Sequence, residues 1–586
     1  MITLKWRANR MIGSFDKMRL GLLLLLGCIL IGKPPQAVAQ FSPLHFTRSA
    51  PLHAQKIIYP NDWVFDALSA LALEQGKLFF LETSITVAQV ALMLQEIDEE
   101  TLSPPGKILY ARLREYLAIP QFFAFQSDVF SVGMSPYLEP ELYYKTNSNL
   151  DWIYNRPQRQ PFLSAPAVLS FSSYITLESE VYLGENRVLS EAHDNYFNFP
   201  FDKMIDGVQS IDTNLPKRAY ISGGLPIGER SGINARFGIG DETLGRTKSG
   251  SIILSDHLKG VSYGSLAFYS PAIRYTGNIM EFEVNKYLYL HQFQMLFFNR
   301  LSLSLIEGVM VNAPLELRFL NPMMIFHGFT GWNNYGNYNK ENQDPDEDPF
   351  YYLDSRIGSL LGITADFKPG RFFHIYALYA MNDISAPGEN TKSNHPEGMG
   401  FQLGVEASVP AAQGYWKFGA EGVYTYPFMY VLGHKGWSFY RESYEVSNDP
   451  IKEWSGSPFG PDSAAAMAWV EFHSVSSWSL GLSYIFAAQG ERSNVAIFDG
   501  DYKAKMGSAL LVAPSGTPVY TNQVGLNFHY APLDWIALEL RPAYQVQSQY
   551  NHEAGRVEHG FEISASCRLT PPPMDWAGLL GRFSGR

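Results

Sequence analysis

Gln523-Val524-Gly525-Leu526-Asn527-Phe528-His529-Tyr530, followed by Ala531-Pro532-Leu533-Asp534, is the stretch on which the fold turns. Val524, Leu526, Phe528 and Tyr530 fall on one face, and Gln523, Asn527 and His529 on the other. After the turn the alternation resumes, with Ile536, Leu538, Leu540, Tyr544 and Val546 against Ala537, Glu539, Arg541, Gln545 and Gln547. A third run sets Phe561, Ile563, Ala565, Cys567 and Leu569 against Glu562, Ser564, Ser566 and Arg568. A period of two is the mark of a β-strand with unlike faces.

Working back along the chain, the pattern recurs at Phe171–Leu183, Leu361–Phe367, Phe373–Tyr379, Phe401–Val409, Trp416–Ala420 and Trp478–Phe486. Runs of about 9–12 residues suit tilted strands crossing a bilayer. Tight connections such as Asp366–Arg371 and Ala531–Asp534 alternate with long polar stretches near 184–220, 329–356, 383–399, 426–463 and 488–520. Short turns at one rim and long loops at the other predict an outer-membrane barrel. One face is too polar for a dry sandwich core. At about 25–30 residues per strand and loop, residues 121–570 predict an all-β, transmembrane, antiparallel up-and-down β-barrel of about 14–18 strands, an even number.

Composition agrees. Only 17% of the 586 residues are charged while 14% are aromatic, with 49 glycines and a net charge of -12. Disordered chains are poor in aromatics, and nucleic-acid binders are basic, so neither class fits and no nucleic acid is expected as a partner.

The first 39 residues read as a secretory signal peptide. A basic stretch (Lys5, Arg7, Arg10, Lys17, Arg19) precedes the apolar run Leu20–Gly32, and Ala37-Val38-Ala39 offers a cleavage site. The run is too short to span a bilayer at about 20 residues. Leu25-Leu26-Gly27-Cys28 has the form of a lipidation box, but the apolar run continues through Ile29-Leu30-Ile31, which argues against cleavage there. Removing residues 1–39 takes away six basic residues and Asp16, moving the net charge from -12 to -17 and leaving Cys567 as the one cysteine. Without a disulfide, the exported chain depends on core burial or on a closed hydrogen-bond network.

Residues 40–120 predict a small helical domain on the periplasmic side. Val64, Leu68 and Leu71 share one helical face, Thr86 can cap a second helix, and Ser103 with Pro104 can open a third. Residues 571–586, beginning Pro571-Pro572-Pro573, are expected to form a periplasmic tail.

Gly240-Asp241-Glu242-Thr243-Leu244-Gly245-Arg246-Thr247 has the spacing of a phosphate loop with Arg in place of Lys. Strand-like residues on both sides deny it the strand–loop–helix setting that a phosphate site needs. The same stretch, with Phe237-Gly238-Ile239-Gly240 and Ser249-Gly250-Ser251-Ile252-Ile253-Leu254-Ser255-Asp256, resembles the capsule-assembly Wzi family of outer-membrane barrels. In that family a strand is followed by a glycine-containing turn and a G-x-L-x-x-S-like strand. Tyr59-Pro60-Asn61-Asp62-Trp63 ahead of a barrel is similar to its Bacteroidetes-type and spirochaete-type members, and Arg318-Phe319-Leu320-Asn321-Pro322 to its entry into a large mid-barrel loop. Leu244 stands where the family commonly has Trp. The resemblance implies a non-enzymatic protein of the cell outer membrane that holds or assembles surface polysaccharide, without catalytic residues or cofactors. The partners implied are outer-membrane lipid, surface polysaccharide and the barrel-assembly machinery.

The 329–356 loop is rich in rings and amides, including Trp332, Tyr335 and Tyr338, and a second aromatic loop holds Trp437 and Tyr440. Aromatic faces stack on sugar rings, so these five residues are the expected glycan contacts. The acidic run Asp344–Asp348 lacks the calcium-loop spacing, and no metal site is expected. A porin or uptake channel for small solutes is the alternative. An enzyme would need a nucleophile–base motif, which is absent.

Overall fold

The computed structural model describes residues 53–60, 62–117, 123–127, 129–150, 160–185, 196–198, 211–212, 218–322, 326, 357–383, 397–432, 435–444, 450–492 and 512–572. The signal segment, Trp332, Tyr335 and Tyr338, and the tail beyond residue 572 lie outside them.

The barrel has 18 antiparallel strands. The first, β1, is assembled from Phe130–Met134, Tyr137–Leu138 and Glu141–Lys145. Then come β2 (Leu163–Phe171), β3 (Ile175–Glu185), β4 (Arg218–Ile227), β5 (Ser231–Gly240) and β6 (Val261–Tyr269). They are followed by β7 (Ile273–Glu283), β8 (Lys286–Phe297), β9 (Leu301–Asn312), β10 (Ile357–Phe367), β11 (Phe373–Asp383) and β12 (Gly398–Ala411). The last six are β13 (Gly414–Thr425), β14 (Ser463–Ser474), β15 (Trp478–Gln489), β16 (Val519–Leu533), β17 (Ile536–Ser548) and β18 (Val557–Leu569). Each strand pairs with its neighbour in the chain. The ring closes where β18 meets β1, from Glu562 opposite Lys145 to Ser566 opposite Glu141, and again at Leu569 opposite Leu138. The other end of β1, Phe130–Met134, turns to β2 instead, and Phe123–Gln126 folds back beside it.

The two faces follow the sequence alternation. Phe401, Leu403 and Val405 of β12 are exposed on the outside, whereas Gln402 points inward and is buried. Part of the outer wall is covered. Tyr289, Val309 and Val311 are buried beneath Phe319 and Phe326 of the segment that leaves β9.

Glycines let large inward rings lie against the wall. Tyr376 is paired across the ladder with Gly404, and Trp469 with Gly419. A Cβ on Gly404 would lie 2.1 Å from the Tyr376 ring, and one on Gly419 2.4 Å from the Trp469 ring. These are aromatic residues covering cross-strand glycines.

Three helices precede the barrel: α1 (Trp63–Glu74), α2 (Val87–Gln95) and α3 (Pro104–Tyr116). Asp62 caps α1, Thr86 and Gln89 form a capping box on α2, and Ser103 caps α3 with proline in its first turn. Gly76, at φ +78°, ends α1 in a left-handed turn, with Lys77 N–H bonded to Ala72 O at 2.8 Å. The expectation of one apolar face understates α1, which is buried from Val64 to Glu74 apart from Asp66. The helix enters the barrel mouth, so the wall covers the sides that solvent would otherwise meet. The rim of short turns supplies the caps for its C-terminal carbonyls. Lys368 Nζ donates to Leu73 O at 2.5 Å, Phe372 N to Leu73 O at 3.1 Å and Arg371 Nε to Glu74 O at 2.7 Å.

The opposite rim also folds inward. The expected strand at Ser249–Asp256 does not form; Leu244 and Leu254 make a single bridge, and residues 241–260 run into the lumen. Ile252, Ile253 and Leu254 are completely buried there, because the apolar run finds a partner in the inward residues Met280, Leu290, Ile306 and Leu378.

The outward alternation makes a direct prediction. Leu403→Arg, near mid-strand on the lipid face, is expected to cost about 2–4 kcal/mol in reversible urea unfolding from lipid vesicles. An unchanged midpoint would contradict the assignment of that face to lipid.

Candidate functional site within the lumen

Two sets of residues meet inside the barrel. From the short-turn rim comes the irregular segment after α1, carrying Glu82, Thr83 and Ser84, all buried. Glu82 Oε2 accepts from Thr364 Oγ1 at 2.8 Å, Gln292 Nε2 at 3.1 Å and Ser304 Oγ at 3.3 Å, so three wall strands hold one carboxyl. Arg274 Nη2 donates to Thr83 Oγ1 at 2.8 Å and to Ser84 O at 2.9 Å. Arg236 Nη2 pairs with Glu242 at 2.8 Å, and the carboxylate of Glu242 accepts from Ser84 Oγ at 3.3 Å. From the long-loop rim, Gly245 N donates to Glu82 O at 3.0 Å. Helical domain and inserted loop therefore touch at mid-lumen.

The glycine-rich stretch that has the spacing of a phosphate loop is resolved by this geometry. No helix follows it. The successive amides of Lys248 and Ser249 donate to the Glu421 carboxylate at 2.9 and 3.1 Å, and Tyr376 OH and Ser249 Oγ donate to it as well. A wall carboxylate occupies the place an anion would take in such a nest of amides.

Between α1, residues 243–251 and the wall strands β12–β14 lies a polar cavity of 320 Å³. Arg246 crosses it, donating to Asp66 Oδ1 at 2.9 Å and to Ser69 Oγ at 2.7 Å, with Glu406 Oε1 at 3.5 Å. Lys417 lies 3.6 Å from Asp66, and Lys248 pairs with Glu471 at 2.5 Å. Burial would raise the Asp66 pKa, but Lys417, Arg246 and Lys248 together hold it well below the usual carboxylate range. His374 bridges Asp366 at 2.8 Å and Glu406 at 3.0 Å.

The expected glycan contacts divide. Trp332, Tyr335 and Tyr338 fall outside the described residues. Trp437 is 9% exposed and Tyr440 is completely buried, so these two rings do not form the outward platform expected of them. They pack in the core that the 426–462 loop makes inside the barrel. The Tyr440 ring lies 5.3 Å from that of Trp454, with Lys286 Nζ 4.4 Å above it. Lys286 also donates to Tyr440 O at 2.6 Å, tying the loop to the far wall. The loops join where Tyr430 OH donates to Ile252 O at 2.6 Å and Ser255 N to Ser455 O at 2.8 Å. Reading the rings of a long aromatic loop as ligand contacts missed the apolar residues of the facing wall that draw them inward. Among the described residues no cluster of His, Cys, Asp and Glu suits a metal ion.

The solved structure of Wzi from Escherichia coli, an outer-membrane protein involved in group 1 capsule assembly and described as a carbohydrate-binding β-barrel, superposes with a TM-score of 0.55 at 12% identity. The match covers 88% of this chain and 100% of that one. The chain is an outer-membrane β-barrel. OprD of Pseudomonas aeruginosa gives a TM-score of 0.38 at 12% identity, covering 78% of this chain and 99% of its own. The channel DcaP of Acinetobacter baumannii gives 0.32 at 9% identity, covering 76% and 99%. No family model and no curated protein sequence matches the chain.

Glu82 makes the junction pH-dependent. Burial, and then the neighbouring Asp366 carboxylate, push its pKa well above the ordinary carboxylate value. A raised folded-state value means that the seat is complete below the usual Glu pKa of about 4.3 and weakens as pH rises through the raised value. Amide protection factors across 62–95, which are normalised to the intrinsic base-catalysed rate, should therefore fall with rising pH, and Glu82→Gln should remove that slope. Glu82→Ala, which leaves the buried hydroxyl and amide donors unpaired, should cost about 1–3 kcal/mol at any pH. The same pH slope in Glu82→Gln would exclude Glu82 as its source.

Proposed function

We propose that this protein holds or assembles surface polysaccharide at the outer membrane without enzymatic activity, in the manner of a Wzi-like barrel. The observation that carries the reading is a lumen occupied from both rims. A porin works through an open, water-filled centre. Here α1 and the Glu82–Ser84 segment enter from one rim and residues 241–260 and the described residues between 426 and 462 from the other, and the two sets are hydrogen-bonded to each other at Gly245 and Glu82. A chain that spends two long loops and a helical domain on filling its own barrel is organised around its rims, not around solute flow. The fold shared with a barrel described as carbohydrate-binding supports the same reading.

In this proposal the glycan is held at the long-loop rim, with Trp332, Tyr335 and Tyr338 as contacts and Trp437 and Tyr440 supporting the loop from within. Stacked rings contribute about 0.5–1.5 kcal/mol each, on the scale of aromatic pairs. A polymer offers many repeats, so weak contacts on one rim accumulate through effective concentration.

Two measurements test it together. The purified protein in planar bilayers should give no large, stable conductance steps; such steps would favour the channel alternative. Replacing Trp332, Tyr335 and Tyr338 by Ala should lower retention of polysaccharide on cells several-fold while heat-modifiable gel migration stays normal. Full retention with normal insertion would remove those rings from the site.

A further inference from the structure

We propose that the 320 Å³ cavity beside α1 is a binding site for a neutral, hydroxyl-rich ligand, one or two saccharide rings in size, reached from the short-turn rim. It is separate from the long-loop surface of the proposed function and needs none of its residues.

The size is at the lower end of small-molecule pockets, about 300–1,000 Å³. The lining decides the chemistry. Arg246, Lys248 and Lys417 face Asp66, Asp256, Glu406 and Glu471. Every one of the three cations is paired: Arg246 with Asp66 and Glu406, Lys417 with Asp66, Lys248 with Glu471. Carboxylates outnumber cations, and the nearby backbone amides are taken by Glu421, so an anion finds no vacant positive charge. An apolar ligand would strip water from these groups without replacing its hydrogen bonds. A polyol can donate to the carboxylates and accept from the cations without breaking their pairing.

Further groups point to such a ligand. Ser408 lines the cavity, is 4% exposed, and its Oγ has no hydrogen-bond partner in the protein; neither has Thr247 Oγ1. Trp469, 6% exposed, adds an apolar border. Its ring lies over Gly419 on the wall side, it lines the cavity, and Lys248 Nζ stands 5.8 Å from its centre. Carboxylates and hydroxyls beside an apolar border are suited to the hydroxyl edge of a pyranose ring. Access is from the short-turn side. The side chains of Lys248 and of His473, one residue before β14 ends at Ser474, are each 37% exposed.

The test uses the full-length protein in detergent micelles, where both rims are accessible. Galactose, glucose, N-acetylglucosamine and their disaccharides are titrated with saturation-transfer NMR as the readout, beside inorganic phosphate and Ca²⁺. At least one neutral saccharide should bind saturably in the millimolar range, and phosphate and Ca²⁺ should not compete. Ser408→Leu, which fills the chamber, and Trp469→Leu, which cuts back the apolar border, should each weaken binding at least about tenfold, a change of about 1.4 kcal/mol. Heat-modifiable migration identifies the folded barrel in both variants, and Ser408→Leu keeps the test decisive if Trp469→Leu does not fold. The Trp332, Tyr335 and Tyr338 triple variant should bind these short saccharides as the parent does, which separates this site from the long-loop surface. The proposal is overturned if no neutral saccharide saturates, if phosphate competes, or if folded Ser408→Leu binds unchanged.

Discussion

In hydrocarbon no backbone N–H or C=O can be left to water, and each unpaired group would cost several kcal/mol. The rest of this structure depends on that constraint. It forces the sheet to close, and an up-and-down antiparallel sheet closes neatly only with an even number of strands. Closure then creates a second problem. Eighteen strands enclose more space than their own inward side chains can fill. Part of it is taken by segments that are not strands: the helical domain through one mouth, and residues 241–260 and the described residues between 426 and 462 through the other. Their cohesion differs along the axis. Toward the long loops the contact is apolar, with Phe428, Tyr430, Phe439 and Ile253 fully buried. Where the helical domain meets the wall it is held by charged and hydroxyl groups, around Glu82 and Arg274.

This division accounts for what could be read from the residues alone. Strands such as β16 and β17 face lipid on one side and a polar interior on the other, so Val524 to Tyr530 and Ile536 to Val546 alternate cleanly. The helix caps at Asp62, Thr86 and Ser103 are local chemistry, and they stand where their spacing put them. The inserted loops were not legible. Ser249–Asp256 carries a strand-like pattern because Ile252 to Leu254 are buried, and burial by a folded-in loop looks the same as burial in a sheet. Trp437 and Tyr440 have the composition of a sugar-binding surface, but their orientation is set by residues such as Lys286, more than 150 positions away in the chain. A nest of amides at Lys248 and Ser249 is a backbone property, and the carboxylate that fills it, Glu421, is equally remote.

Charge inside the barrel is arranged in pairs that cross between segments. Arg246 of the inserted loop binds Asp66 of α1, Arg236 of β5 binds Glu242, and Lys286 binds the 426–462 loop. Removing one partner would strand the other in a site of low dielectric, which is costlier than losing the pair. Such pairs select one arrangement of the inserted segments over others that would bury the same apolar area.

The seam between β1 and β18 carries a consequence for the order of events in making the molecule. It joins residues 141–145 to 562–566, so the ring cannot shut until nearly the whole chain has been delivered. The helical domain is delivered first. Its Glu82–Ser84 segment ends deep inside the wall, held by strands that appear much later in the chain. Either this domain waits, folded and unhoused, while all eighteen strands assemble around it, or it slides into a finished ring past the short turns. The first route makes the domain a core upon which the wall is laid down; the second makes it a stopper fitted afterwards. In both, a segment made before any strand of the barrel makes contacts that are among the last to be completed, which places the protein among slow folders of high contact order.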